Sequence, residues 1–447
     1  MTNLAKENGS IENASLLIKD QLNIEGFAYE SEFYKREPKK ITAENLFFSF
    51  WNMQEQGKNT LSKWAFELSK LSGKTVEGQS LNERLNENCV KMCTLILNKI
   101  LNQKTEKRIT EKDGISELGN LFNRIILRDS TTQNLPTHLS HVFPGNYNKF
   151  KATAVMRIQA CYDYSNHKWL QLNLGSFRDN DQGAADCISD ILEPGDLILQ
   201  DMGYFSLAWL RQLIDNQYII TKWKPGTYLY SLEDTKIDLL RFLKGKKRVD
   251  IQVLVGQKEK LPMRLVVRKL PKDKAKIRVE KAHKDRHSKA KHSKEYIELL
   301  KYEIYLTNIS EEKLDGKGIA KLYGLRWHIE IIFKSWKSGT NFKKMFQKEK
   351  MHEHRVKFTI YAMLIQFVYL MSNIYPFVKK SISKITDRQI SIMLFMEEMV
   401  SSIGKIIMLK DINELMHNTK AYAKRITYER HTRRVNTIDK YMYVNIL

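Results

Sequence analysis

Three acidic residues, far apart along the chain, stand where catalytic carboxylates are expected. Asp129 ends the apolar run RIILRD, Asp201 ends DLILQD, and Glu330 lies on a predicted helix after the last predicted strand. Sites in open α/β sheets form where strands end, and three carboxylates there suit Mg²⁺ or Mn²⁺. Two such ions, about 3.5 to 4 Å apart, support phosphodiester cleavage and joining. A single Asp at a strand end is more often a cap or turn residue.

The helix that carries Glu330 adds a second pattern. Tyr323, Arg326, Glu330 and Lys337 are spaced at positions 0, 3, 7 and 14. On one continuous helix beginning near Lys317, they would fall within roughly 60° of one another. The stripe then offers a metal carboxylate beside a phenol, a guanidinium and an ammonium, and the two cations suit phosphate oxygens. A solvated face with an incidental i,i+4 ion pair would carry the same charges.

The motif YGLRWHIEIIFKSWK resembles the Tyr-x2-Arg-x3-Glu-x6-Lys signature of the DDE transposases of bacterial insertion sequences, of the insertion-sequence-four type. ILRDSTTQNLP resembles the first acidic motif of that family, with Asp129 as its acid, and LILQDMGYFSL resembles the second, with Asp201. The motifs occur in the family's order, and the resemblance covers roughly residues 60 to 375.

This resemblance implies an RNase H-like catalytic core, interrupted between the second Asp and the Glu by a β-rich insertion. It implies cut-and-paste transposition at terminal inverted repeats, often through a DNA hairpin. Asp129, Asp201 and Glu330 would be the catalytic and metal-binding residues, with two Mg²⁺ or Mn²⁺ ions. Tyr323, Arg326 and Lys337 would bind DNA. A transposase-derived regulator that binds DNA without cutting it is the alternative.

Two positions depart from the family pattern. Met202 follows the second Asp, where the family usually has Arg. Residues 224–310 contain no Trp, whereas close relatives use a Trp in the insertion to hold a flipped base. Stacking tolerates other aromatic residues, so tyrosines of the insertion or Trp223 are open substitutes. The hairpin step stays open on this pattern.

The elements around these residues alternate between strands and helices. KATAVMRIQACYDY and KWLQLNLGSF predict a β-hairpin, AADCISDILEPG predicts a helix, and DLILQD and QYIITKW predict strands. Such alternation indicates an α/β layer. SKWAFELSKLSGKTVEGQSLNERLN predicts two helices around a break at Gly73, the pattern of a helix-turn-helix or of any helical hairpin.

Charge points to the partner. The chain has 447 residues, with 74 Lys plus Arg against 51 Asp plus Glu, a net charge of +23. Nucleic acid is the commonest partner of a chain with such an excess, and an anionic membrane surface is the next. A lysine-rich surface that is merely solvated is the third interpretation. The apolar stretch 358–377 contains polar residues and is expected to be a buried core helix rather than a membrane span. No CxxC pair or secretory signal is present, which favours a reduced cytoplasmic protein without zinc.

The expected class is therefore α/β with helical N-terminal and C-terminal regions. The predicted division is a helical DNA-binding region (1–115), a first part of the core (116–223), a β-rich insertion (224–310), a second part with the signature helix (311–380) and a helical basic region (381–447). The expected partner is double-stranded DNA, bound by a homodimer at the bacterial nucleoid, with no membrane.

Overall fold

The computed structural model describes residues 22–55, 60–103, 121–148, 151–284, 292–346, 351–383, 385–386, 388, 390–408 and 419–427. Strands and helices are mixed along this part of the chain, which makes it an α/β protein. Parts of the predicted regions 1–115 and 381–447 lie outside the described residues.

A single sheet joins all the named strands. They are β1 (Ile125–Leu135), β2 (Pro144–Asn148), β3 (Lys151–Asp163), β4 (Lys168–Ser176), β5 (Leu197–Gln200), β6 (Tyr218–Lys222), β7 (Leu229–Tyr230), β8 (Arg248–Val255), β9 (Leu261–Lys269) and β10 (Tyr302–Thr307). Their order is β2-β3-β1-β5-β6-β10-β9-β8-β7, and β4 also pairs with β3.

Helices cover the sheet and form most of the N-terminal and C-terminal parts. They are α1 (Ile24–Glu30), α2 (Ala43–Glu55), α3 (Leu61–Ser72), α4 (Gly78–Arg84), α5 (Glu87–Asn102), α6 (Leu207–Leu213), α7 (Leu239–Leu243), α8 (Lys272–His283), α9 (Lys294–Leu299), α10 (Gly316–Gly324), α11 (Trp327–Gly339), α12 (Glu353–Tyr369), α13 (Tyr375–Ser383), α14 (Ile392–Met408) and α15 (Thr419–Ile426). A π-helical turn, Leu370–Ile374, joins α12 to α13.

Three neighbouring strands, β1, β5 and β6, are parallel to one another. Their apolar residues are buried throughout β5 and in the first half of β1, as expected for strands covered on both faces. Because parallel strands end at the same side of a sheet, the residues that follow β5 and β6 lie beside the middle of β1. This arrangement positions the candidate site.

The strands of the predicted insertion extend the same sheet. β10 returns antiparallel to β6 and also pairs with β9, which pairs with β8. Arg264 on β9 holds Asp250 on β8 through two contacts of 2.6 Å and donates at 2.7 Å to the carbonyl of Leu314. These contacts fix the start of α10 against the extended sheet.

Two sequence expectations about this layer were wrong. β1 does not end at Asp129 but runs to Leu135, because it pairs with β3 over that whole length. The segment AADCISDILEPG is a series of turns with a short 3₁₀ helix, Ser189–Ile191, rather than an α-helix. The physical reason is that the buried guanidinium of Arg128 takes the carbonyl oxygens of Ala184 and Ala185, which a helix would need for its own bonds.

The predicted long helix from Lys317 is also interrupted. It is divided into α10 and α11 by a tight turn at Leu325 and Arg326, in which backbone N–H groups bond to carbonyls three residues back. Arg326 donates in this way to Tyr323, and Ile329 to Arg326. A 3₁₀ turn tightens the backbone, so the four signature residues do not form the straight stripe of one regular helix.

The signature helix packs into a core shared with the N-terminal helices. Trp51 on α2 donates to the carbonyl of Ala362 on α12 at 3.0 Å, and the Phe358 ring stacks on Trp64 of α3. Trp336 on α11 stacks on Phe367 of α12. The helix expected in the apolar stretch from 358 is thus confirmed as a core element. No helix in the part of the chain described here is long and apolar enough to cross a membrane.

Candidate active site

Asp129 and Asp201 lie side by side because of the strand register. Arg128 on β1 is aligned with Gln200 on β5, so the next residue on each strand is an aspartate. Asp201 adopts an extended backbone, caps the 3₁₀ helix Met202–Tyr204 and accepts a hydrogen bond from the Gly203 N–H at 3.3 Å. Both roles that the sequence left open for Asp201, cap residue and site residue, are therefore compatible.

One guanidinium contacts all three predicted catalytic acids. Arg326 lies 3.1 Å from Asp129, 2.5 Å from Glu330 and 4.0 Å from Asp201, measured between Nη and carboxylate oxygen atoms. Its side chain is only 6% exposed. The turn between α10 and α11 directs Arg326 toward the strands, while Glu330 stands one helical turn further along α11. The acids predicted from sequence are thus brought to a common cation.

Burial dominates the electrostatics of this cluster. It raises the pKa of Asp129 to about 7, and although Arg326 lowers this pKa, the neighbouring Glu330 and Asp201 charges raise it further. Burial alone would lower the pKa of Arg326, but the phenol of Tyr323 and the three acids raise it overall. The cluster therefore holds more negative charge than one guanidinium neutralises well.

An open cavity of about 340 Å³ adjoins the acids. Asp129, Glu330 and Lys337 line it together with Lys334, and the remaining lining comes from Ser130, Thr131, Phe333 and Ser338. Its walls are β1 and α11, so a ligand in it would meet carboxylates at one end and lysines at the other. This composition suits a phosphate group together with divalent cations.

Lys337 lies on the same face of α11 as Glu330, two turns further along. Its ammonium donates to the carbonyl of Thr132 on β1 at 2.6 Å. Burial lowers the pKa of Lys337 to about 8, so the ammonium is held with little compensating charge. An ammonium in such surroundings is prepared to accept an anion.

Tyr323 is buried like Arg326, but its hydroxyl bonds to the backbone instead of to an acid. Its hydroxyl donates to the carbonyl of Gln200 at 3.3 Å, and its ring packs at 5.1 Å from that of Tyr305. Burial raises the pKa of this phenol well above its usual range. In this structure Tyr323 supports the end of β5 next to Asp201.

The donor set fits divalent cations in its chemistry. Among the residues that the structure describes, no three His, Cys, Asp or Glu side chains are close enough together to hold a metal. Arg326 contributes to this separation, because its guanidinium lies between the carboxylates. All three groups supply hard oxygens, and the side chains of Asp201 and Glu330 are 43% and 36% exposed. These residues therefore fit Mg²⁺ or Mn²⁺.

A supporting network beside the acids was not predicted. Arg157 on β3 donates to Asp181 at 2.5 Å and to the Ser130 hydroxyl at 3.3 Å, and Gln159 donates to Asp181 at 3.0 Å. Tyr204 donates to Gln159 from the turn after Asp201. The network connects the residues that follow both aspartates. Alternating buried polar residues in KATAVMRIQACYDY were the available signal, since Arg and Gln are rarely buried without a partner.

The fold and site together define a class. A mixed α/β protein with three acids gathered beside parallel strands, next to a cavity lined by lysines, is suited to chemistry on phosphodiesters. The chain belongs to the Transposase DDE domain family, whose model matches residues 120–367. The expectation of a bacterial insertion-sequence DDE transposase, an enzyme, is confirmed by this match and by the relatives below.

The relatives match most of the chain. The transposase for insertion sequence element IS231F of Bacillus thuringiensis subsp. israelensis is 29% identical over 338 residues, covering 70% of each chain. The transposase of IS1151 from Clostridium perfringens is 25% identical, covering 86% of this chain and 85% of its own. Neither comparison supports the alternative of a regulator without catalytic activity.

A solved structure also matches at low similarity. The piggyBac transposase synaptic complex with hairpin DNA covers 94% of this chain and 85% of its own, with a TM-score of 0.44 and 10% identity. A likeness of this size carries no further argument about the site.

Proposed function

We propose that this transposase cleaves and joins DNA at the terminal inverted repeats of an insertion sequence, with Asp129, Asp201 and Glu330 holding two Mg²⁺ or Mn²⁺ ions. The observation that carries the proposal is the guanidinium of Arg326, which lies within 4.0 Å of all three carboxylates. Three carboxylates that contact the guanidinium of Arg326 are also positioned to contact divalent cations in its place.

The chemistry follows from charge and position. Bound divalent ions supply activation of a water or a 3′-hydroxyl and neutralise charge on the phosphate. Asp129 and Asp201 fix those ions from the sheet, and Glu330 fixes them from α11. Lys337 offers its ammonium to a phosphate oxygen at the far end of the cavity, and Arg326 takes a second oxygen once the carboxylates bind metal. Tyr323 positions the strand end beneath them.

The RNase H-like character of the core belongs to the same proposal. Supporting it, the order β4-β3-β1-β5-β6 combines three parallel strands with two antiparallel ones, and the additional strands follow β6 before the helix of Glu330. The predicted divisions at 115, 223, 310 and 380 remain proposals.

DNA is the partner that the net charge of +23 favours. We assign the N-terminal region up to residue 115 to DNA binding, with the pair α3 and α4, joined through Gly73, as the recognition element. A homodimer that pairs two ends, acting at the nucleoid in the bacterial cytoplasm, is the assembly that this reaction requires.

Cleavage of a labelled duplex that carries the terminal repeat found beside the coding region tests the proposal. With Mg²⁺, Asp129→Asn, Asp201→Asn and Glu330→Gln should each lose nicking by more than about a hundredfold, since each removes a charge that holds the ions. Asp186→Asn is the matched control, because Asp186 is an exposed acid near the same strands. Unchanged nicking by Asp129→Asn would show the triad to be wrong.

A further inference from the structure

Lys222 is a cation of the site region that neither the signature nor the acidic motifs include. It is the last residue of β6, the third parallel strand. The final paired positions of β5 and β6 are Leu199 and Ile220, so Asp201 and Lys222 each lie two residues beyond that pair. Neighbouring strands are about 4.8 Å apart, which places the two residues next to each other at the strand ends.

The ammonium of Lys222 has no anionic partner. Within the described residues, its Nζ atom forms no ion pair and no hydrogen bond. The ammonium lies 5.5 Å from the centroid of the Tyr323 ring. Glu303 on β10 is the other acid nearby, and Arg268 and Arg278 already bind it at 2.5 and 3.1 Å. Lys222 therefore has no acidic partner, although other cations are nearby.

Leaving a half-buried cation unpaired is costly, and here further cations surround it. Burial lowers the pKa of Lys222, and the charges of Arg278 and Arg326 lower it further, while Asp201 and Glu303 oppose this effect. An anion arriving from solvent would remove the cost. A DNA phosphate is the anion that the reaction brings to this place.

The residue on the other side of Asp201, Met202, also indicates that this part of the site needs a cation. The residue that follows Asp201 is an uncharged methionine at the start of the 3₁₀ helix, so this position supplies no cation. The neighbouring strand, β6, places Lys222 at the position next to Asp201.

We propose that Lys222 contacts a DNA phosphate adjacent to the one that is cleaved. The inference rests on the proposed function, because it takes Asp201 to mark the position of the cleaved phosphate.

The test measures binding, in EDTA, of a duplex with the terminal repeat and single neutral methylphosphonates at successive positions around the cleavage point. Wild-type protein should lose about tenfold in affinity at the phosphate that Lys222 contacts. Lys222→Gln and Lys222→Met should bind the unmodified duplex about tenfold more weakly and show no further loss at that position. Lys222→Arg should restore the wild-type pattern. Lys246→Gln, an exposed lysine on another turn, is the control for charge alone.

The salt dependence gives a second measure. The slope of log affinity against log salt should fall by about 0.9 for Lys222→Gln, as expected for one lost phosphate contact. A variant with the wild-type interference pattern and slope would overturn the proposal. If both neutral variants fail to fold, acetylation of Lys222 in the wild-type protein decides: DNA should protect it, and equal labelling with and without DNA would overturn the assignment.

These binding results are independent of catalysis. If Asp129→Asn kept its nicking activity while Lys222 showed the expected interference, the metal triad would fail and the phosphate contact would stand. If the triad variants lost nicking and Lys222 showed no interference, the metal triad would stand and the phosphate contact of Lys222 would fail.

Discussion

The ionised carboxylate of Asp129 is predicted to destabilise the folded protein. Its carboxyl group is only 15% exposed, and its pKa is raised from 3.8 to about 7, mainly by burial. A folded-state pKa above the unfolded value favours the protonated form on folding. The contribution of protonated Asp129 to the free energy of unfolding is fully present below about pH 4 and is lost as the pH rises through 7. Above pH 7 the folded protein therefore carries the full cost of an ionised, partly compensated carboxylate.

The magnitude follows from the shift of about 3 pH units. At 1.36 kcal/mol per unit, ionised Asp129 costs about 4 kcal/mol at pH 8 relative to a neutral group of the same shape. Asn is such a group, and its amide oxygen can still accept the Ser130 N–H bond that Asp129 accepts at 2.8 Å. For 447 residues at about 2.1 cal/mol/K each, the gain corresponds to about 4 °C in melting temperature.

Thermal unfolding followed by circular dichroism in EDTA is the assay. Asp129→Asn should melt about 4 °C above wild type at pH 8 and at nearly the same temperature at pH 4. Added Mn²⁺ should raise the melting temperature of wild type at pH 8 and have little effect on the variant. A variant that melts at or below wild type at pH 8 would refute the reasoning, because the carboxylate would then be stabilised where it lies.

Three further predictions concern DNA. Glu330→Gln should abolish cleavage and leave the affinity for a transposon end within about twofold, measured by gel shift; an equal loss of binding would count against a role on the metal. Binding should weaken from pH 7 to pH 9 as Lys337, with a pKa of about 8, loses its charge, and Lys337→Arg should remove this dependence in an anisotropy titration; parallel pH curves would contradict it. Affinity should fall steeply with salt, and a flat response would show that phosphate contacts contribute little.

The three acids could be predicted from the sequence because each of them belongs to a short local pattern. A buried apolar run that ends in an acid, found at Asp129 and Asp201, and an amphipathic helix with Glu330 are both local features. Their convergence follows from the parallel pairing of β1 with β5, which the alternation of strands and helices already indicated. The three acids could therefore be identified from the sequence alone.

What the sequence did not predict depends on contacts between distant segments. The length of β1 past Asp129 is determined by its partner β3, and the turns around Ala184 are determined by Arg128, 56 residues earlier. Because of the turn at Arg326, Tyr323 does not continue one straight helical stripe with Glu330 and Lys337, and its hydroxyl bonds to the carbonyl of Gln200. The position of Lys222 beside Asp201 depends on the register between β5 and β6, which the sequence alone does not give.

The most direct test of the central claim is the position of bound metal. Anomalous diffraction from crystals soaked in Mn²⁺, grown with a DNA end, should show density within about 2.1 Å of carboxylate oxygens of Asp129, Asp201 and Glu330, with Arg326 moved away from them. Manganese bound elsewhere, with Arg326 still contacting all three acids in the DNA complex, would contradict the account.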